Sequence, residues 1–230
     1  LRVPRPRVSV AVVSTSVAAT PALDVVVGER VVLQANVSLP EGTWPLHPNA
    51  TERGGTLLAL LAERELVPFI DSAYQGFGTD LEADAYGIRA AIERLPNVLV
   101  ATSCSKNFGL YRERTGAMLF AGRNAKEADA ARSHALALAR RSYTMAPFHG
   151  GGIVGTILDS AELNALWRSE VAAMRNHITN MRSALANALG SHQARRPGGG
   201  DFAFIATQRG MFSQLGISLE AITRLRSDYG

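Results

Sequence analysis

The chain has 230 residues, of which 47% are hydrophobic and 19% are charged, so it can build a core and is not a disordered tail. A single cysteine, Cys104, excludes a disulfide framework and a cysteine-based zinc site, and five scattered histidines indicate no metal centre. The net charge is +4, but the basic residues are spread along the chain and include only two lysines, Lys106 and Lys126. This spread predicts a solvated surface with a few anion-binding arginines, not a nucleic-acid-binding module.

The chain begins with an apolar run over residues 8–19 that follows three arginines. This pattern imitates a secretory signal peptide, but we interpret the run as a buried strand or an ill-defined leading segment, because the rest of the sequence is typical of a cytosolic enzyme. Residues 25–36 predict two short strands, and the prolines of residues 37–50 predict a loop. No apolar run is long enough to span a bilayer, so we expect a cytoplasmic protein without membrane association.

Helical and strand patterns alternate over the next part of the chain. The helical patterns cover residues 51–65, 80–94 and 124–141, and the short apolar runs typical of buried strands cover residues 66–70, 97–102 and 117–120. Such alternation predicts an α/β domain with a mostly parallel sheet.

A long helix is predicted over residues 158–189 from apolar residues at three- and four-residue spacing. Residues 202–205 then predict a strand outside the α/β pattern, and residues 218–227 predict a further helix with Ser218 as its N-cap.

The long helix also sets the predicted domain organisation, because it carries the chain from one domain into the next. We place the boundary inside it, so that residues 1–173 belong to a large domain, with residues 1–24 as an uncertain leading segment. Residues 174–230 belong to a second, smaller domain.

Two predicted strands end in polar residues. The residues concerned are Asp71 and Tyr74 after the first strand, Ser103, Ser105 and Lys106 after the second, and Arg114 eight residues beyond the lysine. Ligands of open α/β sheets bind beyond the carboxyl ends of the strands, so we expect these side chains to form one pocket. A desolvated lysine amine can bond to an aldehyde, hydroxyls and an arginine suit a phosphate, and a carboxylate can hold a protonated ring nitrogen. These are the requirements of pyridoxal phosphate.

A second interpretation makes Ser103 a nucleophile and Lys106 its base, as in the penicillin-interacting enzymes. It requires a Lys-Thr-Gly element, which the sequence lacks, and Ser227-Asp-Tyr is a poor match to the Ser-Asp-Asn element. Each residue alone also has a structural explanation, since an aspartate after a strand usually caps a turn and a lone lysine is usually solvated.

Three longer segments carry a resemblance to a known family. They are Pro68-Phe-Ile-Asp-Ser-Ala-Tyr-Gln-Gly-Phe77, Ser105-Lys-Asn-Phe-Gly-Leu-Tyr-Arg-Glu-Arg114 and Arg209-Gly-Met-Phe-Ser213. They resemble signature segments of the aspartate and aromatic-amino-acid aminotransferases, class I enzymes of the fold-type I pyridoxal-phosphate group, and the similarity runs from about residue 25 to residue 230. The resemblance implies part of an α/β cofactor-binding large domain and the start of an α+β small domain at the C-terminus.

The resemblance also implies roles for individual residues. Lys106 would bond covalently to the cofactor aldehyde and move the proton of the substrate Cα. Asp71 would pair with the pyridinium nitrogen, and Tyr74 would donate a hydrogen bond to the phenolic oxygen of the cofactor.

Other matching positions would hold the phosphate and the substrate. Ser103, Ser105 and Arg114 match phosphate-binding positions. Arg140 matches the arginine that reaches into the active site of the partner subunit and pairs with the side-chain carboxylate of dicarboxylic substrates, which implies a homodimer with shared active sites.

The sequence departs from the family at its start, where Leu39 replaces an asparagine that contacts the cofactor. Residues 1–55 are either a divergent segment or a reading-frame artefact, and the family's N-terminal part and its C-terminal substrate-binding arginine are not in the sequence. We expect a transaminase that moves an amino group between aspartate or aromatic amino acids and 2-oxoglutarate by a ping-pong mechanism. The alternative is a truncated, catalytically impaired protein that at most binds the cofactor or pairs with other chains.

Overall fold

The computed structural model describes residues 8–14, 51–196 and 199–230. The two strands predicted within residues 25–36, the loop over residues 37–50 and the position of Leu39 lie outside these ranges.

The described strands form one four-stranded sheet. They are β1 (Val8–Ser14), β2 (Phe69–Ser72), β3 (Val98–Ser103) and β4 (Thr115–Ala121), in the spatial order β1-β4-β3-β2. β2 and β3 are parallel, whereas β4 runs antiparallel to both β3 and β1. The α/β class is confirmed, but the described sheet is mixed and not mostly parallel. The reason is the short link from β3 to β4, since a parallel neighbour needs a crossover of a dozen or more residues, usually with a helix.

Seven α-helices lie in the described residues: α1 (Thr51–Glu63), α2 (Leu81–Asp84), α3 (Tyr86–Arg94), α4 (Ala125–Tyr143), α5 (His149–Asp159), α6 (Ala161–Ser191) and α7 (Leu219–Tyr229). The helix predicted over residues 80–94 is divided at Ala85 into α2 and α3. The long helix begins at Ala161, because the Ser160 side chain caps it by accepting a hydrogen bond from the Leu163 amide. Ser218 caps α7 in the same way, as predicted.

The predicted strand at residues 202–205 is wrong. The structure has a short 3-10 helix there, Ala203–Thr207, and the Asp201 side chain accepts a hydrogen bond from the Ala203 amide at its start. Phe202 and Ile205 are both buried against Ala186 of α6. A spacing of three residues places two side chains on one side of a 3-10 helix, so this conformation buries both apolar residues against a single helix.

Two separate apolar clusters form the described core. The first joins the sheet to α3 through Val98, Val100, Ala91 and Leu95. The second lies between the C-terminal part of α6 and the 3-10 helix. The domain boundary near residue 173 stays a prediction.

Two glycines of α5 are predicted to respond oppositely to alanine. A Cβ at Gly150 would overlap the hydroxyl of buried Thr115 and lie 2.8 Å from Cβ of Glu113, whereas a Cβ at Gly155 meets no atom within 4 Å. We expect Gly150→Ala to lower the free energy of unfolding by about 1–3 kcal/mol through overpacking. Gly155→Ala should raise it by about 0.5–1 kcal/mol, the helix-propensity difference. Urea unfolding of both variants measures this, and equal shifts would contradict the packing of α5 on β4.

Candidate active site

The turn after β3 places the predicted lysine at the edge of the sheet. The Cys104 amide donates to the Thr115 carbonyl at 2.9 Å, which keeps the start of the turn attached to β4. The Ser105 amide donates to the Ser103 hydroxyl at 3.2 Å, and the Gly109 amide donates to the Lys106 carbonyl at 3.1 Å. The backbone on both sides of Lys106 is therefore fixed. Burial also raises the pKa of the Cys104 thiol.

The Lys106 amine lies against one aromatic ring. Its Nζ is 4.8 Å from the centre of the Tyr74 ring. The Tyr74 ring in turn meets Phe212 edge to face, with ring centres 5.4 Å apart. Among the described residues, no carboxylate forms an ion pair with Lys106. The amine is thus held by the face of an aromatic ring, and no described acidic side chain competes for it.

Two cavities adjoin this turn. The larger, of about 410 Å³, is mainly apolar and is lined by Lys106 together with Phe77, Tyr111, Ala173, Met174, His177, Ile178 and Met211. The smaller, of about 280 Å³, is lined by Ser103, Ser105 and Arg114 together with Ala101, Thr102, Thr115, Gly116, Ala117 and Met118. The structure therefore brings the three predicted phosphate-binding residues to one cavity, with Lys106 at the neighbouring one.

Two further predicted site residues, Asp71 and Arg140, line neither cavity. Asp71 is opposite Ala101 in the β2–β3 register, and Ala101 lines the smaller cavity, so Asp71 is on the adjacent strand. Its side chain is exposed. Arg140 lies in the last turn of α4, is exposed and lines neither cavity, so the described chain does not bring it to Lys106.

The loop after Tyr74 is fixed by a carboxylate that sequence analysis missed. Asp84 accepts hydrogen bonds from the backbone amides of Gly76, Gly78 and Thr79 at 2.8–2.9 Å. Arg175 of α6 donates to the Gly76 carbonyl at 3.1 Å. An acidic residue inside a helical pattern gives no sign of this role, because the loop amides approach it only in the folded chain.

Asp80 ends this loop and caps α2. We expect its carboxylate to make the stability of the protein depend on pH. Hydrogen bonds from the Ala83 and Glu82 amides lower the pKa of Asp80 below its ordinary value of 3.8. The unfolded state therefore binds a proton more readily, and the stability contribution is complete above about pH 5 and lost as the pH falls below 3.8. Asp80→Asn keeps a capping oxygen but cannot ionise. We therefore expect the free energy of unfolding of this variant to lack the pH-dependent contribution of Asp80. Urea unfolding between pH 3 and pH 6 tests it, and parallel pH profiles for the two proteins would contradict it.

A buried arginine holds the segment that carries Phe212. Arg182 of α6 is 5% exposed. It donates to the Ser213 hydroxyl at 2.8 Å, to the Gln208 carbonyl at 3.0 Å, to the Phe212 carbonyl at 3.3 Å and to the Gly210 carbonyl. Burial lowers the pKa of Arg182. The sequence held one indication of this role, because Arg182 falls on the apolar side of the α6 pattern. An arginine buried there requires several hydrogen-bond acceptors.

The segment held by Arg182 also contacts the loop after Tyr74. Arg209 donates to the Thr79 hydroxyl at 3.0 Å, which adds to the contact between Phe212 and Tyr74. The segment Arg209–Ser213, singled out from sequence, thus lies beside the Lys106 turn. Among the described residues, no helix has the length and apolar character to cross a bilayer. The same residues contain no acidic, histidine and cysteine cluster that could hold a metal ion.

The sequence is similar to known proteins over most of its length. It is 44% identical over 173 residues to an aromatic-amino-acid aminotransferase of Pseudomonas aeruginosa, a match covering 75% of this chain and 42% of that protein. It is 41% identical to a tyrosine aminotransferase of Rhizobium meliloti, covering 88% and 50% of the two chains. It is also 41% identical to the aspartate aminotransferase of Escherichia coli, covering 78% and 44%. The chain spans about half the length of these curated relatives.

Solved structures agree with this similarity. An aromatic-amino-acid aminotransferase from Burkholderia pseudomallei, covalently bound to pyridoxal phosphate, superposes with a TM-score of 0.74 at 39% identity, covering 78% of this chain and 44% of that one. A mitochondrial aspartate aminotransferase from Trypanosoma brucei gives 0.74 at 34% identity, covering 81% and 47%. The family model for aminotransferase class I and II matches residues 15–228. The chain therefore belongs to the class I and II aminotransferase family.

Proposed function

We propose that this chain forms the lysine-bearing half of a pyridoxal-phosphate-dependent transaminase. The observation that carries the proposal is the Lys106 amine, held on the face of Tyr74 without an acidic partner among the described residues, next to a cavity lined by Ser103, Ser105 and Arg114. This places a lysine amine beside hydroxyl and guanidinium groups that can bind an anion.

The side chains fit the cofactor chemically. The hydroxyls of Ser103 and Ser105 and the guanidinium of Arg114 can give a phosphate group charge-assisted and neutral hydrogen bonds. Lys106 supplies the amine that an aldehyde requires, and Asp71 on the neighbouring strand supplies a carboxylate for a ring nitrogen. When bound, pyridoxal phosphate supplies an electron sink that stabilises negative charge developing on the substrate Cα.

The protein residues position and move protons around that group. The Lys106 Nζ would act as the base that takes the proton from the substrate Cα and returns it. The Asp71 carboxylate would keep the ring nitrogen protonated, and the Tyr74 hydroxyl would donate a hydrogen bond to the phenolic oxygen. Phe212 meets the Tyr74 ring edge to face, a contact that would limit the movement of the Tyr74 ring.

The substrates proposed are an amino acid and a 2-oxo acid. The relatives are named for aromatic amino acids, tyrosine and aspartate, and a Psychrobacter relative was cocrystallised with aspartic acid. These names support aspartate or an aromatic amino acid as the amino-group donor, and we propose 2-oxoglutarate as the acceptor. Arg140, exposed at the end of α4, would serve a second copy of the chain in a homodimer with shared active sites. We further propose a cytoplasmic location.

A cofactor titration followed by a turnover assay tests the proposal. Purified chain is mixed with pyridoxal phosphate, the visible absorption band is recorded against pH, and the bound cofactor is fixed with borohydride and located by mass spectrometry. Attachment at Lys106 and amino-group transfer from aspartate or tyrosine to 2-oxoglutarate support a working transaminase. Attachment without transfer identifies a cofactor-binding but impaired chain, and no specific attachment overturns the proposal.

A further inference from the structure

The turn that carries Lys106 makes a side-chain contact with a distant helix. Trp167 lies in the N-terminal half of α6, and its indole Nε1 donates a hydrogen bond of 2.7 Å to the backbone carbonyl of Asn107. The Trp167 ring also stacks on Phe108, with ring centres 4.3 Å apart and 14° between the planes. One side chain therefore makes both a polar and an aromatic contact with the two residues that follow Lys106.

The same turn is tied to the loop that bears Tyr74. Asn107 is 8% exposed, and its side-chain amide donates to the Gln75 carbonyl at 3.3 Å. Gln75 directly follows Tyr74, whose ring faces the Lys106 amine. Asn107 thus links the lysine turn to the tyrosine loop, and Trp167 is the side chain from α6 that hydrogen-bonds the backbone of Asn107.

We propose that Trp167 is a positioning residue for Lys106. Resting on the proposed function, the inference is that Trp167 acts through the Asn107 carbonyl and the Phe108 ring to keep the Lys106 amine on the face of Tyr74. The physical reason is that a flexible lysine side chain is directed by its backbone, and a fixed backbone reduces the number of orientations it must lose to reach one geometry. α6 meets the surroundings of Lys106 at a second place. Four further residues of this helix line the same cavity as Lys106, namely Ala173, Met174, His177 and Ile178.

The test uses the protein without cofactor, so it does not depend on transaminase activity. The chain has only two lysines, Lys106 and Lys126, and Lys126 is exposed on α4. Trace acetylation followed by mass spectrometry gives the rate at Lys106 relative to Lys126 as an internal reference. Trp167→Phe keeps an aromatic ring for Phe108 but removes the N–H donor. We expect it to raise the Lys106/Lys126 rate ratio at least about threefold, because the released amine leaves the tyrosine face and becomes more accessible.

A matched variant separates positioning from general loss of stability. Ile205 is fully buried in the second apolar cluster, so Ile205→Val destabilises the fold at a site far along the chain from the lysine turn. We expect it to leave the lysine ratio unchanged at a comparable loss of thermal stability. A ratio that stays within 1.5-fold (about the assay error) in Trp167→Phe, or one that rises equally in Ile205→Val, would overturn the proposal. If Trp167→Phe does not fold, Phe108→Leu removes only the stacked ring and is judged by the same ratio.

A second readout uses the cofactor. In a chain that binds pyridoxal phosphate, Trp167→Phe should shift the pH midpoint of the absorption band of the lysine-bound cofactor, whereas Ile205→Val should not. An unchanged midpoint in a cofactor-binding Trp167→Phe protein counts against the proposal. Failure of the unmodified chain to bind the cofactor would overturn the proposed function, while the lysine ratio of the cofactor-free protein would still decide the role of Trp167.

Discussion

Under the proposed function, Lys106→Ala is expected to abolish covalent attachment of pyridoxal phosphate and to lower transamination by at least ~10³-fold, since both the covalent bond and the proposed proton-transferring base would be lost. The variant should still fold, because the Lys106 side chain forms no ion pair among the described residues and makes its aromatic contact at the edge of a cavity. The measurement is the mass of the borohydride-treated protein, followed by location of the modified peptide and an assay with 2-oxoglutarate.

The second lysine provides the control for this prediction. Lys126 lies at the start of α4, is exposed and lines neither cavity. Lys126→Ala should therefore keep both attachment and rate. Attachment that survives in Lys106→Ala, or that is lost in Lys126→Ala, would show that the cofactor does not use the turn after β3.

Arg182→Met is expected to lower the free energy of unfolding by about 3 kcal/mol, because it removes a buried charged donor and four partly buried hydrogen bonds to the segment 208–213. Methionine keeps much of the apolar stem, so the change reports mainly on the hydrogen bonds. The same variant should release Phe212 from Tyr74, since the Phe212 carbonyl is one of the acceptors. Urea unfolding monitored by circular dichroism measures the loss.

Arg175→Met is the matched control on the same helix. Arg175 donates one hydrogen bond to a loop carbonyl, that of Gly76, so its loss should cost only about 1 kcal/mol. If the two variants lose the same stability, the network around Arg182 does not hold the segment as the structure indicates.

The local pattern of apolar and polar residues was sufficient to predict most of the described helices and strands. The helices α1, α4 and α7 and the strands β2, β3 and β4 are found near their predicted ranges, because each has an amphipathic or continuous apolar pattern of its own. The direction of β4 was not predictable from its composition, since an apolar run is equally compatible with a parallel and an antiparallel neighbour. The 3-10 helix at Ala203–Thr207 was missed because a short apolar run does not specify its conformation until its packing partner, α6, is known.

In the candidate site, too, local positions could be predicted from the sequence and long-range contacts could not. Ser103, Ser105, Lys106 and Arg114 lie between the end of β3 and the start of β4, as the sequence indicates. Ser103, Ser105 and Arg114 line one cavity and Lys106 lines the other, so the described residues do not form the single pocket that was expected. The contacts of Trp167 and Arg182 with the turns they hold join residues 26 to 60 positions apart. The sequence pattern places Trp167 and Arg182 in a helix but does not predict which residues they contact, because those contacts are set by tertiary packing.

The unbroken length of α6 has a mechanical consequence. Trp167 and Arg182 lie on one helix of 31 residues, about 22 Å apart along its axis at 1.5 Å per residue. If α6 tilted as a rigid body by about 5° about the Trp167 contact, Arg182 and the Phe212 segment attached to it would be displaced by about 2 Å. A change in the angle of α6 would therefore change the distance between the Phe212 segment and the lysine turn.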